Sequence, residues 1–273
     1  MSEKSILVTG AASGIGKATA LSFAKRGWFA GLFDIDEDGL QQVSDEIGPD
    51  MSISRRLDVV DIEQWRSAVE EFGRCTGGKM GVLFNNAGIA HIGRFEEIPA
   101  DLNRRIIEVN LIGVMNGIQS SFPLLKDTDG ACIVNTSSIA AELGGAMFAS
   151  YGASKFGVRG LTDSLDLEFE KHGIRVCDIM PWFIETPLLQ HSPMHGTNSN
   201  ASLRDGIIGA GMAINEIDQV VKGVWSAVEG KRTHTLIGLS AKILGPLNQH
   251  FPRTSRIGKR QLLKKFAMKM GIT

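Results

Sequence analysis

Tyr151 and Lys155 stand four residues apart in the segment Tyr151-Gly152-Ala153-Ser154-Lys155. On a helix that spacing brings both side chains to one face. A phenol ordinarily titrates near pH ~10, so at neutrality it is a poor base. An ammonium about 5 Å away, at an effective dielectric near ~20, favours the phenolate by roughly 3 kcal/mol, or about two pK units. The pair therefore reads as a phenol tuned toward the pH at which it can trade protons with a hydroxyl or carbonyl. Tyr151 is the only tyrosine in the chain. Ser138 ends an apolar run thirteen residues earlier. If that run is a strand, its end and the following helix meet at one edge of a sheet, where the hydroxyl can orient the reacting oxygen.

A second cluster lies near the start of the chain. Thr9-Gly10-Ala11-Ala12-Ser13-Gly14-Ile15-Gly16 follows an apolar run and opens a helix-length stretch. Glycines there allow a tight turn, and a helix N-terminus offers free N–H groups to a pyrophosphate. Asp34 closes the next apolar run, 18 residues beyond Gly16. A carboxylate at that distance accepts hydrogen bonds from ribose hydroxyls and repels a 2′-phosphate. No Arg or Lys lies within the turn or beside Asp34 in sequence, which favours NAD over NADP. An oxidised nicotinamide, being cationic, pushes the phenol the same way as Lys155.

Three residues separate Gly10 from Gly14, and TG-x-x-x-G-I-G resembles the short-chain dehydrogenase/reductase family. The resemblance extends over roughly residues 5–190. It implies that Ser13, Gly14, Ile15 and Gly16 cradle the dinucleotide, that Asp58 and Val59 contact the adenine, and that Asn86, Ala87 and Gly88 line the cofactor. It also implies that Pro181, Ile184 and Thr186 hold the nicotinamide end and that Asn110 serves a proton relay by holding a water near Lys155. Ser138, Tyr151 and Lys155 match the family's catalytic set, Lys155 bonding the nicotinamide ribose as well. One departure is visible: Trp182 follows Pro181 where the family commonly has glycine. Members are commonly oligomeric through helices corresponding to 100–126 and 150–172, so a homodimer or homotetramer is expected.

The reaction implied is hydride exchange between NAD and a secondary alcohol or carbonyl. Two other readings stay open: an NAD-sensing binding protein on the same fold, and an imine reductase or epimerase. Leu143 and Phe148 lie between Ser138 and Tyr151, and Trp182 and Leu188 follow the sixth apolar run. With Ser138 they form the candidate substrate surface. They are apolar and no Arg accompanies them, which points to a hydrophobic substrate.

These residues need a frame to hold them. Runs at 5–9, 29–34, 51–57, 80–85, 131–137, 174–180 and 233–238 are continuously apolar and bounded by Gly, Asp or Asn, which predicts strands covered on both faces. Helix-length stretches alternate with them at 14–27, 36–47, 61–76, 100–126, 150–172 and 215–229. Asp61 followed by Gln64 has the spacing of a capping box. The prediction is a single doubly wound, Rossmann-type α/β domain of about seven parallel strands with helices on both faces. It occupies residues 1–238 and includes a long polar loop at 188–212, a candidate substrate lid.

Composition bounds the rest. The 273 residues carry a net charge of −1, but residues 230–273 hold ten Lys and Arg and no Asp or Glu. In this basic extension, 239–273, Leu262, Phe266 and Met270 recur at helical spacing. Such a helix fits the acidic body of this or a neighbouring subunit, or an anionic membrane surface as a peripheral contact; the former is favoured. No aromatic platform accompanies the charge, so no nucleic-acid partner is expected. Three scattered cysteines and no signal-like N-terminus predict a reduced, cytoplasmic setting. His191 and His195 are separated by Pro193, and no metal site is expected.

Overall fold

Alternate residues of the first strand face opposite ways. Ile6 and Val8 join one apolar cluster and Leu7 the other. That is why the run is hydrophobic throughout: both faces are covered. In the computed structural model of the protein, the described residues are 4–196 and 202–250, together with Ile257, Gly258, Arg260, Gln261 and Lys265.

Seven strands form one sheet: β1 (Ser5–Thr9), β2 (Phe29–Asp34), β3 (Ser52–Arg56), β4 (Val82–Asn85), β5 (Cys132–Thr136), β6 (Arg175–Pro181) and β7 (His234–Ile237). Their order is β3-β2-β1-β4-β5-β6-β7 and every pairing is parallel. The fold is therefore the doubly wound α/β domain expected. Strand order reverses between β1 and β4, and the crevice beyond their carboxyl ends is where such sheets bind ligands.

The helices are α1 (Gly14–Ala24), α2 (Glu37–Ile47), α3 (Ile62–Thr76), α4 (Ala100–Ile107), α5 (Gly113–Lys126), α6 (Ala140–Leu143), α7 (Ala149–Phe169), α8 (Pro187–His191), α9 (Leu203–Gly209), α10 (Ile217–Glu229) and α11 (Leu239–His250). On one face, Phe23 of α1, Val43 of α2 and Val224 of α10 pack with Ile6 and Val8. On the other, Trp65 and Phe72 of α3, Ile118 of α5 and Val158 of α7 pack with Leu7. Each fully buried side chain of this size contributes about 1.5–3 kcal/mol.

Three expectations change in detail. The stretch 100–126 is not one helix: a π-helical turn, Glu108–Ile112, separates α4 from α5. Asp61 caps α3 by accepting from the N–H groups of Glu63 and Gln64, but Gln64 does not complete the box. Its side chain instead donates to the Asp61 carboxylate and accepts from the N–H of Asp58. The stretch 188–212 holds the end of α8 and all of α9, the latter opened by a capping box between Ser202 and Asp205; residues 197–201 lie outside the described residues. So do Leu262, Phe266 and Met270. The extension begins as α11, whose Ala241 is buried against Ile139 and Trp182.

Candidate active site

The turn after β1 leaves the first strand at Gly10, whose φ of +67° is in the left-handed region. A Cβ on Gly10 would sit 2.9 Å from Asn86 Nδ2, and one on Gly16 would overlap the Gly10 carbonyl. Glycine is required at both places by close approach. Asn86 Nδ2 donates to the carbonyl of Thr9 at 3.1 Å, and the Thr9 hydroxyl accepts from the N–H groups of Asn86 and Ala87. The ends of β1 and β4 are thus tied together across the switch point. Ser13 precedes α1 without capping it by its side chain, so the first-turn amides have no side-chain acceptor and are available to an anion.

Asp34 is held in place by three backbone donors. Its Oδ2 accepts from Ala12 N at 3.1 Å, and its Oδ1 from Ile35 N at 2.7 Å and Asp36 N at 3.2 Å. Asp58 accepts from Arg105 Nη2 at 2.8 Å. These groups line one cavity of about 680 Å³ that also holds the catalytic candidates. A cradle whose glycines a Cβ would fill, free helix amides and a fixed carboxylate fit a nicotinamide dinucleotide.

Ser138 follows β5, and Tyr151 and Lys155 stand on α7, with Lys155 Nζ 5.6 Å from the centre of the tyrosine ring. Lys155 is buried and donates to the carbonyl of Thr136 at 2.7 Å. Burial lowers its pKa to about 8, against a smaller opposing pull from Asp178. Burial also pushes the Tyr151 phenol above its ordinary value, and a hydrogen bond with Ser138 only partly reverses this. The downward shift expected from Lys155 is therefore corrected: burial raises the phenol's pKa instead.

Asn110 sits in the π-helical turn, fully buried, and its side chain bonds the backbone of Ile89 and the hydroxyl of Ser154. Oδ1 accepts from Ile89 N at 2.8 Å, while Nδ2 donates to Ile89 O and to Ser154 Oγ. π-Turns recur at functional sites. Here the amide meets the loop after β4 at Ile89 and Gly88; a Cβ on Gly88 would meet Asn110 Oδ1 and then Lys155 Nζ.

Of the residues singled out in the sequence, Gly10, Ser13, Gly14, Ile15, Asp34, Asp58, Val59, Asn86, Ala87, Gly88, Ser138, Tyr151, Lys155, Pro181, Ile184 and Thr186 line the cavity, as do Leu143, Phe148, Trp182 and Leu188. Gly16 and Asn110 stand behind its wall. Ile139 N donates to the Pro181 carbonyl and Trp182 N to that of Ile237, so the departure from glycine at 182 leaves the strand end in its ladder. The Trp182 indole packs with Ile139, Leu143, Phe183 and Met212.

Sequence reasoning missed four features. Arg56 is the register partner of Asp34 on β3, so a cation does stand beside that carboxylate in space, engaged by Glu37 and Gln64. Arg105 reaches Asp58 from 47 residues away. His195 pairs with His91, Nε2 to Nδ1 at 3.1 Å, beside the bridge between Ile92 and Met194 that ties the 188–212 segment to the loop after β4. Cys132 and Cys177, distant in sequence, lie with sulfurs 3.7 Å apart in the core. The segments at 143–148 and 182–188 contain no arginine, as read from the sequence, but Arg260 of the extension also lines the cavity.

Comparison with known proteins agrees with this geometry. A family model described as short chain dehydrogenase matches residues 4–195. The chain is 38% identical over 189 residues to a cyclohexanol dehydrogenase of Acinetobacter sp. (strain SE19), covering 68% of this chain and 75% of the relative. It is 35% identical over 200 residues to a trans-4-hydroxycyclohexanecarboxylate dehydrogenase of Sinomonas cyclohexanicum, covering 69% and 75%. Among solved structures, a short chain dehydrogenase from Burkholderia cenocepacia J2315 in complex with NADP superposes with a TM-score of 0.79 at 22% identity, covering 95% of this chain and 99% of that one; it shares the fold. A 3-ketoacyl-(acyl-carrier-protein) reductase from Brucella melitensis, complexed with NADH, superposes with a TM-score of 0.74 at 28% identity over 85% and 96%. The chain belongs to the short-chain dehydrogenase family of oxidoreductases.

Proposed function

We propose that the chain is an NAD-dependent alcohol dehydrogenase interconverting a hydrophobic secondary alcohol and its ketone, with Tyr151 as general acid and base. One observation carries this reading. Ser138, Tyr151 and Lys155 share a single cavity with the glycine turn and Asp34.

When bound, the nicotinamide supplies hydride-transfer chemistry. Ser138 donates a hydrogen bond that orients the substrate oxygen, and Tyr151 passes the proton to or from that oxygen. Reduction needs a neutral phenol, which burial maintains. Oxidation needs the phenolate, and Lys155 is the cation that favours it while it stays protonated, below about 8. Lys155 also holds the nicotinamide ribose, and Asn110 is a positioning residue that pins Ile89 behind it.

The preference for NAD rests on Asp34. Its oxygens are fixed by backbone amides, it repels a 2′-phosphate, and Arg56 is occupied by Glu37 and Gln64. The apolar walls at Leu143, Phe148, Trp182 and Leu188 fit a hydrophobic ring, and α8 and α9 act as the lid over it. Exposed Ile112, Met115, Phe156 and Leu167 on the π-turn, α5 and α7 support a homodimer or homotetramer. No helix among the described residues is long and apolar enough to cross a membrane; a cytoplasmic setting is part of the proposal.

The test is a panel of lipophilic alcohols and ketones followed by nicotinamide absorbance. Tyr151→Phe should lose about 10²–10⁴-fold in kcat while retaining NAD affinity. Activity within a few-fold of the parent protein would remove Tyr151 from the proton-transfer step.

A further inference from the structure

The cavity is lined by five charged side chains among the described residues: Asp34, Asp58, Arg105, Lys155 and Arg260. Four are accounted for. Asp34 is bonded to backbone amides, Asp58 and Arg105 pair at 2.8 Å, and Lys155 donates to Thr136 beside the phenol. Arg260 is exposed and helical. Among the described residues it has no carboxylate partner. Its own segment does not provide one either, because residues 230–273 contain no Asp or Glu.

The route of the chain shows how an arginine so late in the sequence reaches the site. α11 lies along the substrate wall: Ala241 is buried against Ile139 and Trp182, and Asn248 Nδ2 donates to the carbonyl of Glu142 at 2.7 Å. Glu142 belongs to α6, whose last residue, Leu143, lines the cavity. The extension therefore leaves α11 at the substrate wall, ten residues before Arg260. A guanidinium that lines an apolar cavity and has no carboxylate partner among the described residues is a receptor for an oxyanion, which it binds with two parallel hydrogen bonds.

We propose that Arg260 receives an anionic group on the substrate, so that the preferred alcohol is a hydrophobic ring bearing a carboxylate at the end remote from the carbinol. This rests on the alcohol dehydrogenase reading above and names its substrate class. In the reaction the carbinol C–H electron pair leaves as hydride to NAD⁺, the O–H proton leaves through Tyr151, and the carbonyl C=O forms. The carboxylate is unchanged. Its role is to register the ring so that the carbinol carbon faces the nicotinamide and its oxygen faces Ser138 and Tyr151.

Phosphate oxygens of the cofactor share the same chemistry, and the experiment separates the two sources. The full-length chain is assayed at saturating NAD⁺ with trans-4-hydroxycyclohexanecarboxylate and with trans-4-methylcyclohexanol, which replaces the carboxylate by a methyl group. The parent protein should favour the acid in kcat/KM. Arg260→Gln should lower the acid-to-methyl ratio of kcat/KM by about tenfold or more, chiefly through KM for the acid, as loss of a charge-assisted pair predicts. Arg260→Lys should restore part of the ratio, and Lys231→Gln, which removes one charge without removing a cavity residue, should keep it. An unaltered ratio in Arg260→Gln overturns the proposal, as does a loss confined to KM for NAD⁺, which would assign the guanidinium to cofactor phosphate. If the parent protein oxidises the methyl compound without favouring the acid, only this inference falls. If it binds NAD⁺ and oxidises neither, the alcohol dehydrogenase reading falls with it.

Discussion

His234 is the clearest place to test what the buried charges of this fold are worth. Asp178 is fully buried on β6, and its Oδ1 lies 3.0 Å from Nδ1 of His234, its register partner on β7. Its Oδ2 is buried with no hydrogen-bond partner. The other imidazole nitrogen, Nε2, lies 2.8 Å from Oδ1 of Asp163 on α7. The hydrogen bond to Asp178 leads the causes that raise the His234 pKa above 6.5, and burial leads those that raise the Asp178 pKa above 3.8. Replacing His234 by Ala leaves a buried carboxylate alone. Breaking a buried pair costs about 3–5 kcal/mol, and the lower figure applies because His234 keeps a quarter of its side chain exposed and Asp178 can take up a proton. For a domain of this size, about 3 kcal/mol lowers Tm by roughly 6–12 °C. The pH dependence has a definite sign. A histidine whose folded pKa is raised stabilises fully below pH 6.5, and that stability is lost as pH rises through the folded value. The raised Asp178 pKa acts in the same direction, from pH 3.8 upward. Denaturant melts of both proteins between pH 5.5 and 9 should show the parent losing stability above pH 6.5 and the variant losing less over that interval. A variant within about 0.5 kcal/mol of the parent at neutral pH, or one with the parent's slope above 6.5, would refute the reasoning.

Two further substitutions test the site itself. Asp34→Ala removes the carboxylate fixed by Ala12, Ile35 and Asp36, and with it the repulsion of a 2′-phosphate, so the ratio of kcat/KM with NAD to that with NADP should fall by about tenfold or more; steady-state assays with both cofactors check it. Asn110→Ala strips the partners from the N–H and C=O of Ile89, which should cost about 2 kcal/mol in a urea melt and lower turnover by loosening the loop after Gly88.

What the sequence made legible follows from which forces are local. The seven strands could be read because a doubly covered parallel strand must be apolar at every position, as Ile6, Leu7 and Val8 are. Their observed ends fall within two residues of the expected ones. The glycine turn could be read because Gly10 and Gly16 answer steric demands that only their own neighbourhood sets. The π-turn at Asn110 could not: Glu108–Ile112 contains no Gly or Pro, and the extra residue is stabilised by bonds to Ile89, 21 positions away. Neither could the pairing of Arg105 with Asp58, the register of Arg56 with Asp34, or the arrival of Arg260 at the cavity. Each is a contact between residues whose proximity is created by the sheet order or by the path of α11.

The tyrosine shows why the energetics of a site are harder to read than its membership. The four-residue spacing of Tyr151 and Lys155 supplies the Coulomb attraction and with it the expectation of an acidic phenol. The desolvation that opposes it comes from the apolar cluster around the ring, Phe148, Ile92, Leu189 and the rest, which come together only in the fold. It acts on both partners at once, raising the phenol and bringing the ammonium down to about 8. A lowered lysine is a weaker ally, because above that pH it carries no charge with which to favour a phenolate. In the proposed mechanism the Tyr151–Lys155 pair is therefore poised for proton donation, with Tyr151 neutral. On the proposed mechanism, oxidation of an alcohol draws on the Lys155 charge below about pH 8 and on the positive charge of a bound oxidised nicotinamide, so the groups proposed to seat the dinucleotide, Asp34 and the α1 amides, bear on the acidity of a phenol they do not touch.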